Sequence, residues 1–142
     1  MPRPGGRMSA CDPGDAQIRM RHSESFLLVA KLVLEQPDDS LLTLTGVAAS
    51  LAVLAGIAAS DAACCAALRQ RSRGQDHEQA VNLVRTVSPG GERMARDLGR
   101  LLSLKDNAQY GVVIVSRTQA ESAVGWAGRL VENARDVVSV RS

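Results

Sequence analysis

The sequence predicts an all-α fold, an up-and-down bundle of four to five helices around a long alanine-rich central helix. Three observations carry that expectation. Hydrophobic residues make up 45% of the chain but aromatics only 2%, so Ala, Leu and Val must fill the core. Small side chains suit helices whose axes approach closely. Apolar residues recur at helical spacing in several windows, and the β-branched and aromatic clusters that favour strands occur only briefly. At 142 residues the chain has the length of one domain.

Residues 1–16 carry three prolines and three glycines among polar residues, which predicts a disordered tail ahead of one domain over 17–142. A first helix is expected from His22 to Glu35. Its stripe is Phe26, Leu27, Ala30, Leu32, Val33 and Leu34, and Pro37 stops it, because the residue before proline avoids helical angles. Asp38, Asp39 and Ser40 offer N-cap oxygens for a second helix that runs to Arg73. Its apolar stripe follows Leu44, Val47, Leu51, Leu54, Ala58, Cys65 and Leu68.

Gln75 and Asp76 open a shorter helix to about Val87, with Ala80, Leu83 and Val84 inward. The turn Ser88-Pro89-Gly90-Gly91 ends it. A fourth helix over Glu92 to Leu104 buries Met94, Leu98, Leu101 and Leu102. GVVIV (111–115) reads as a short extended run. Ser116 with Gln119, or Thr118 with Glu121, then has the spacing of a capping box. The last helix lays Ala123, Trp126, Ala127, Leu130, Ala134, Val137 and Val138 on one face.

A net charge of +2 is too small for a bulk nucleic-acid footprint, so any basic surface is local. Cysteines 11, 64 and 65 are odd in number and show no paired spacing, and MPRPGGRMSACDPGD holds no apolar leader. The expected compartment is therefore the reducing cytoplasm. Cys64 and Cys65 point about 100° apart on a helix and cannot share one tetrahedral metal. They read as small buried hydrophobes, and neither a metal nor another cofactor is expected. Leu41–Ser60 carries no charge over twenty residues, long enough for a membrane span. The other helices are amphipathic and need an apolar partner, which favours the centre of a bundle. Membrane association of this helix is the alternative.

The chemistry-bearing residues are mostly basic. Arg69, Arg71 and Arg73 would end the second helix, where its dipole favours cations, and Gly74 suits the position after its end. His77 falls in the first turn of the next helix, where exposed N–H groups favour an uncharged ring able to accept a proton. Arg93, Arg96 and Arg100, at i, i+3 and i+7, make a cationic stripe. With Arg69 and Arg73 they could hold phosphates. No aromatics interleave for base stacking, so RNA would be held by its backbone. Asp61 lies inside an apolar run and, if buried, needs a serine hydroxyl or an arginine from a neighbouring helix.

This order of features resembles the bacterial HEPN domains (higher eukaryotes and prokaryotes nucleotide-binding), over roughly residues 22 to 140. The residues that carry the resemblance are RGQDH at 73–77 and KDNAQYG at 105–111. It implies a bundle of four or five helices, commonly a homodimer, in a family that includes metal-independent ribonucleases and toxins of toxin–antitoxin pairs. An antitoxin or a nucleotidyltransferase would be its protein partner. The family's catalytic motif is an arginine, four to six residues, and a histidine. Arg71 and His77 fit it literally, with five residues between them. At the place where the family carries the pair, this chain has Lys105 and Tyr110.

Tyrosine, with an unperturbed pKa of about 10, is a poor base at neutral pH, and lysine lacks the bidentate fork of arginine. A composite site would use His77 as base, Arg71 or Arg73 on phosphate, and Tyr110 as positioning donor. The expected function is thus a binding or interaction module that contacts RNA or nucleotide phosphates, with a ribonuclease toxin as the alternative.

Overall fold

The computed structural model describes the backbone of residues 8–37, 43–73, 76–109 and 114–141. Among them are five helices: α1 (Pro13–Leu34), α2 (Leu44–Leu68), α3 (His77–Arg85), α4 (Gly91–Gln109) and α5 (Arg117–Arg141). A ribbon of β1 (Met8–Ala10) antiparallel to β2 (Gln70–Ser72) completes them, with Ser9 opposite Arg71. The all-α bundle expected from composition is the architecture found.

Helix α2 lies at the centre, packed against α1, α5 and α4. Its buried positions are mainly alanine, including Ala48, Ala49, Ala52, Ala55, Ala58 and Ala59, with Val53 and Gly56 among them. The expected stripe differs here. Leu44, Leu51 and Leu54 are half-buried and Val47 is exposed. Where three helices press on one, axes come close only over small side chains, so the larger residues move to the margins. Among the described residues α2 is the one helix long and apolar enough to cross a membrane, and 67% of its most apolar window is buried inside the bundle.

Helices α4 and α5 bury the residues their periodicity marks, Met94, Leu98, Leu101 and Leu102 on one and Ala123, Ala127, Leu130, Ala134, Val137 and Val138 on the other. Trp126 is only partly covered. Helix α4 is longer than expected and reaches Gln109. Helix α5 opens with the Ser116 and Gln119 box: the Ser116 hydroxyl accepts from the Gln119 N–H at 3.1 Å, and the Gln119 side chain accepts from the Ser116 N–H at 2.9 Å. Helix α3 opens as expected, with Asp76 accepting from the Gln79 N–H at 3.1 Å, and ends at Arg85. The caps expected at 38–40, and Tyr110 to Val113 of the expected extended run, lie outside the described residues.

Two expectations are corrected. Residues 8–16 are not a disordered tail: they form β1 and the start of α1. Asp12 is the N-cap, and its carboxylate accepts from the Asp15 N–H at 2.8 Å while Asp15 accepts from the Asp12 N–H at 3.0 Å. Pro13 follows as the first helical residue, where its missing N–H costs nothing. What reads as a breaker, DPGD, is a helix start. Helix α2 ends at Leu68 instead of Arg73. Arg69 takes a left-handed conformation (φ 60°) and turns the chain into β2.

Cys65 is also not a plain buried hydrophobe, since it is bonded to Cys11 across 54 residues of sequence. Closing such a loop restricts the unfolded chain by about 4 kcal/mol in the chain-entropy account. A three-residue ribbon alone is marginal, so the disulfide is the main tie holding the N-terminal strand. Cys64 is free and buried. With two of three cysteines paired, cysteine usage no longer argues for a reducing compartment.

In folded, unreduced protein Ellman's reagent should therefore find no reactive thiol, and after unfolding without reductant it should find one, Cys64. Recovery of three thiols would refute the pairing. Glycines separate in the same way. A Cβ on Gly91 would collide with the Val84 and Arg85 carbonyl oxygens, whereas one on Gly99 meets nothing. Thermal denaturation should show Gly91→Ala destabilised by about 1–3 kcal/mol, and Gly99→Ala unchanged or stabilised by up to about 1 kcal/mol.

Candidate functional site

Asp61 stands on α2 where that helix meets the ribbon, and it is 8% exposed. Two arginines converge on its Oδ2: Arg19 of α1 at 3.0 Å and Arg71 of β2 at 3.1 Å. Both guanidiniums keep part of their surface in water while the carboxylate is covered. Burial is the larger influence and pushes the Asp61 carboxyl up from its ordinary 3.8, and the two arginines only partly oppose it. This is the arginine partner that the sequence demanded for a buried Asp61. Arg71 is thereby held by Asp61, in a depression shared with Arg19 and Ser9.

On the other side of Asp61 a cavity of about 120 Å³ opens between α2, α3 and α4. Its polar wall is made of Ser60, Asp61, Ser72, Asp76, His77 and Lys105, and Ile57, Leu98 and Leu102 line the rest. His77 is the first residue of α3 and Lys105 lies on α4. Their side chains meet, Lys105 Nζ to His77 Nε2, at 3.5 Å, the long limit of a hydrogen bond. A protonated lysine can only donate, so His77 Nε2 is the acceptor in this contact. The N–H groups that open a helix have no partners within it. The start of α3 borders the cavity through Asp76 and His77, with Asp76 taking up the Gln79 N–H.

The structure thus brings together His77, Lys105 and Asp61, with Arg71 one shell away. It does not gather the rest. Arg69 and Arg73 are exposed beside the ribbon, and Arg93 and Arg96 are exposed on α4. Arg100 is committed elsewhere: it lies 3.7 Å from Asp97 and its guanidinium carbon stands 5.9 Å from the Trp126 ring centre. Tyr110 lies outside the described residues. Among the described residues no three His, Cys, Asp or Glu side chains are grouped to hold a metal ion.

Sequence reading missed Asp97, which is 4% exposed and is paired with Arg129 of α5 at 3.3 Å. The signal was present, because Asp97 sits at i+3 from Met94 and i−4 from Leu101 on the inward face of α4. It also missed Arg19, Ser60 and Ser72, whose spacing in sequence carries no sign of the cavity. Cys64 borders the same region but is inert. Burial, and then the neighbouring Asp61 charge, push its thiol up to about 12, so the nucleophilic thiolate is scarce at neutral pH.

The chain matches no family model, and no curated protein is significantly similar to it.

The raised Asp61 value has a testable sign. Below 3.8 the carboxyl is protonated in folded and unfolded chains alike. As pH rises past 3.8 the unfolded chain ionises first, so the Asp61 contribution to stability is lost as pH climbs through the raised folded value. Urea denaturation from pH 3.5 to 7 should show the stability difference between Asp61→Asn and wild type moving steadily in favour of the variant. A difference moving the other way would mean that the arginine pairs outweigh burial.

Proposed function

We propose that this chain is a HEPN-like helical bundle that acts as a binding module, with the cavity between α2, α3 and α4 taking a phosphate group of RNA or of a nucleotide. One observation carries the reading: an ammonium and an imidazole meet in a cavity into which a helix start also opens. Ammonium groups and helix N-termini both favour anions. A phosphate oxygen arriving there draws the Lys105 ammonium away from His77 and takes up donors that otherwise face water. The exposed Arg69, Arg73, Arg93 and Arg96 supply sequence-independent attraction for the remaining backbone. The HEPN resemblance supports a second copy of the chain, and an antitoxin or nucleotidyltransferase protein, as partners.

A ribonuclease is the second reading, favoured by the same contact. Once phosphate engages Lys105, His77 Nε2 is left free to accept the 2′-hydroxyl proton. The oxygen then attacks the adjacent phosphorus, the P–O5′ bond breaks with the 5′-oxygen taking a proton from water while His77 returns its own to solvent, and Lys105 faces the charge on the phosphorane. A 2′,3′-cyclic phosphate is the product.

Fluorescence anisotropy with a labelled single-stranded RNA should show salt-sensitive binding that Lys105→Ala weakens about tenfold or more, as expected for a charged hydrogen bond. Inorganic phosphate should compete. RNA affinity indifferent to Lys105→Ala would place binding elsewhere. Cleavage that is lost in His77→Ala and kept in His22→Ala would establish the second reading, and intact RNA with wild-type protein would reject it.

A further inference from the structure

Asp61 is only 8% exposed, yet just one of its two carboxylate oxygens is taken up by protein. Arg19 and Arg71 both hold Oδ2, at 3.0 and 3.1 Å, and among the described residues Oδ1 has no partner. No fully buried side-chain oxygen or nitrogen of those residues goes without a partner, so Oδ1 is not sealed in. The depression beside the two arginines is not lined by Asp61, whereas the cavity between α2, α3 and α4 is. Oδ1 therefore opens to the cavity, as a buried acceptor beside the place where Lys105 would hold a phosphate.

The surroundings narrow what can donate to it. An ammonium is opposed by Arg19 and Arg71 on the same carboxylate and by Lys105 in the same cavity, where Asp76 is the one other carboxylate on the wall. A neutral donor fits. At about 120 Å³ the cavity has room for about ten water-sized groups, of which a phosphate takes about five. The remainder suits a sugar carbon and its hydroxyl rather than a base, and no Phe, Tyr or Trp lines the wall to stack one. Ser72 also lines the cavity, and its hydroxyl gives its proton to Gln79 Oε1 at 3.2 Å, which leaves its lone pairs as a further acceptor.

We propose that Asp61 Oδ1 accepts the 2′-hydroxyl of the ribose next to the bound phosphate, and so makes this site selective for RNA over DNA. This selectivity rests on the reading of the cavity as a phosphate site that binds without cleaving, because a 2′-hydroxyl whose proton is held by Asp61 does not give it to His77. The sugar is read and the base is not.

Fluorescence anisotropy of the full chain tests this with one labelled single-stranded sequence, built in turn with 2′-hydroxyl, 2′-amino, 2′-fluoro and 2′-deoxy sugars. Wild type should bind the hydroxyl and amino strands alike. The fluoro strand accepts but cannot donate, and it should bind about tenfold or more weakly, as should the deoxy strand. In Asp61→Asn the guanidiniums, which only donate, keep the amide oxygen, and the amide N–H groups turn to the cavity. That variant should lose the distinction between hydroxyl and fluoro strands, with circular dichroism confirming its fold. Should it fail to fold, Ile57→Phe, which crowds Asp61 from four positions earlier on the same face of α2, should level the two strands instead. A wild type that binds all four strands alike overturns the proposal, and so does a folded variant that still rejects the fluoro strand; where Lys105→Ala nonetheless weakens binding, the phosphate site stands without it. RNA cleavage that needs His77 would put the 2′-hydroxyl at His77 and overturn it as well. Affinity for every strand that ignores Lys105→Ala removes the phosphate site and this selectivity together.

Discussion

Close approach of helices onto α2 is the constraint from which the rest follows. Alanine at Ala48, Ala52, Ala55 and Ala59 lets α1, α4 and α5 lie against one helix at once. At Gly56 the limit is reached, since an added Cβ would collide with Leu101 of α4. Small contacts bury little area each, and the bundle compensates by packing three helices onto the one. The length and hydropathy that could carry α2 through a bilayer are here used for that central position.

Charge enters this packing at Asp61, about two turns before the end of α2, where Arg19 of α1 and Arg71 of β2 reach it. Its carboxylate is covered while both its arginines remain partly in water, an arrangement in which burial outweighs attraction. Asp97 repeats the design on α4, with Arg129 and Arg100 reaching in from exposed positions. Surface pairs such as Arg117 with Glu121 add about 0–1 kcal/mol each. The buried carboxylates instead orient the elements around them: Asp61 ties α1 and β2 to α2, and so shapes one wall of the cavity in which His77 meets Lys105.

The N-terminal segment completes that wall from outside. Cys11 is bonded to Cys65, its N–H donates to the Arg69 carbonyl at 3.0 Å, and β1 pairs with β2. Strand β2 carries Arg71 toward Asp61 and Ser72 into the cavity. A stretch of proline, glycine and small polar residues thus becomes structural because one covalent bond offsets the entropy it would otherwise keep.

By itself the sequence determined that the chain folds as helices, which faces of α4 and α5 turn inward, and that caps stand at Asp76 and at either Ser116 or Thr118. Period and capping are local properties, decided within a few residues. It also marked Asp61 and His77 as residues needing an explanation. The start of α1 at Asp12, Pro13 and Asp15 was equally local, a capping box hidden by its proline and glycine, whereas tertiary structure alone decided that Cys65 bonds Cys11 and that alanines rather than leucines of α2 face the core. Tertiary structure likewise joined His77 to Lys105 across 28 positions while committing Arg71 to Asp61 and Arg100 to Asp97. Those outcomes depend on which helix lies beside which, and pairing between distant segments leaves no trace in local spacing.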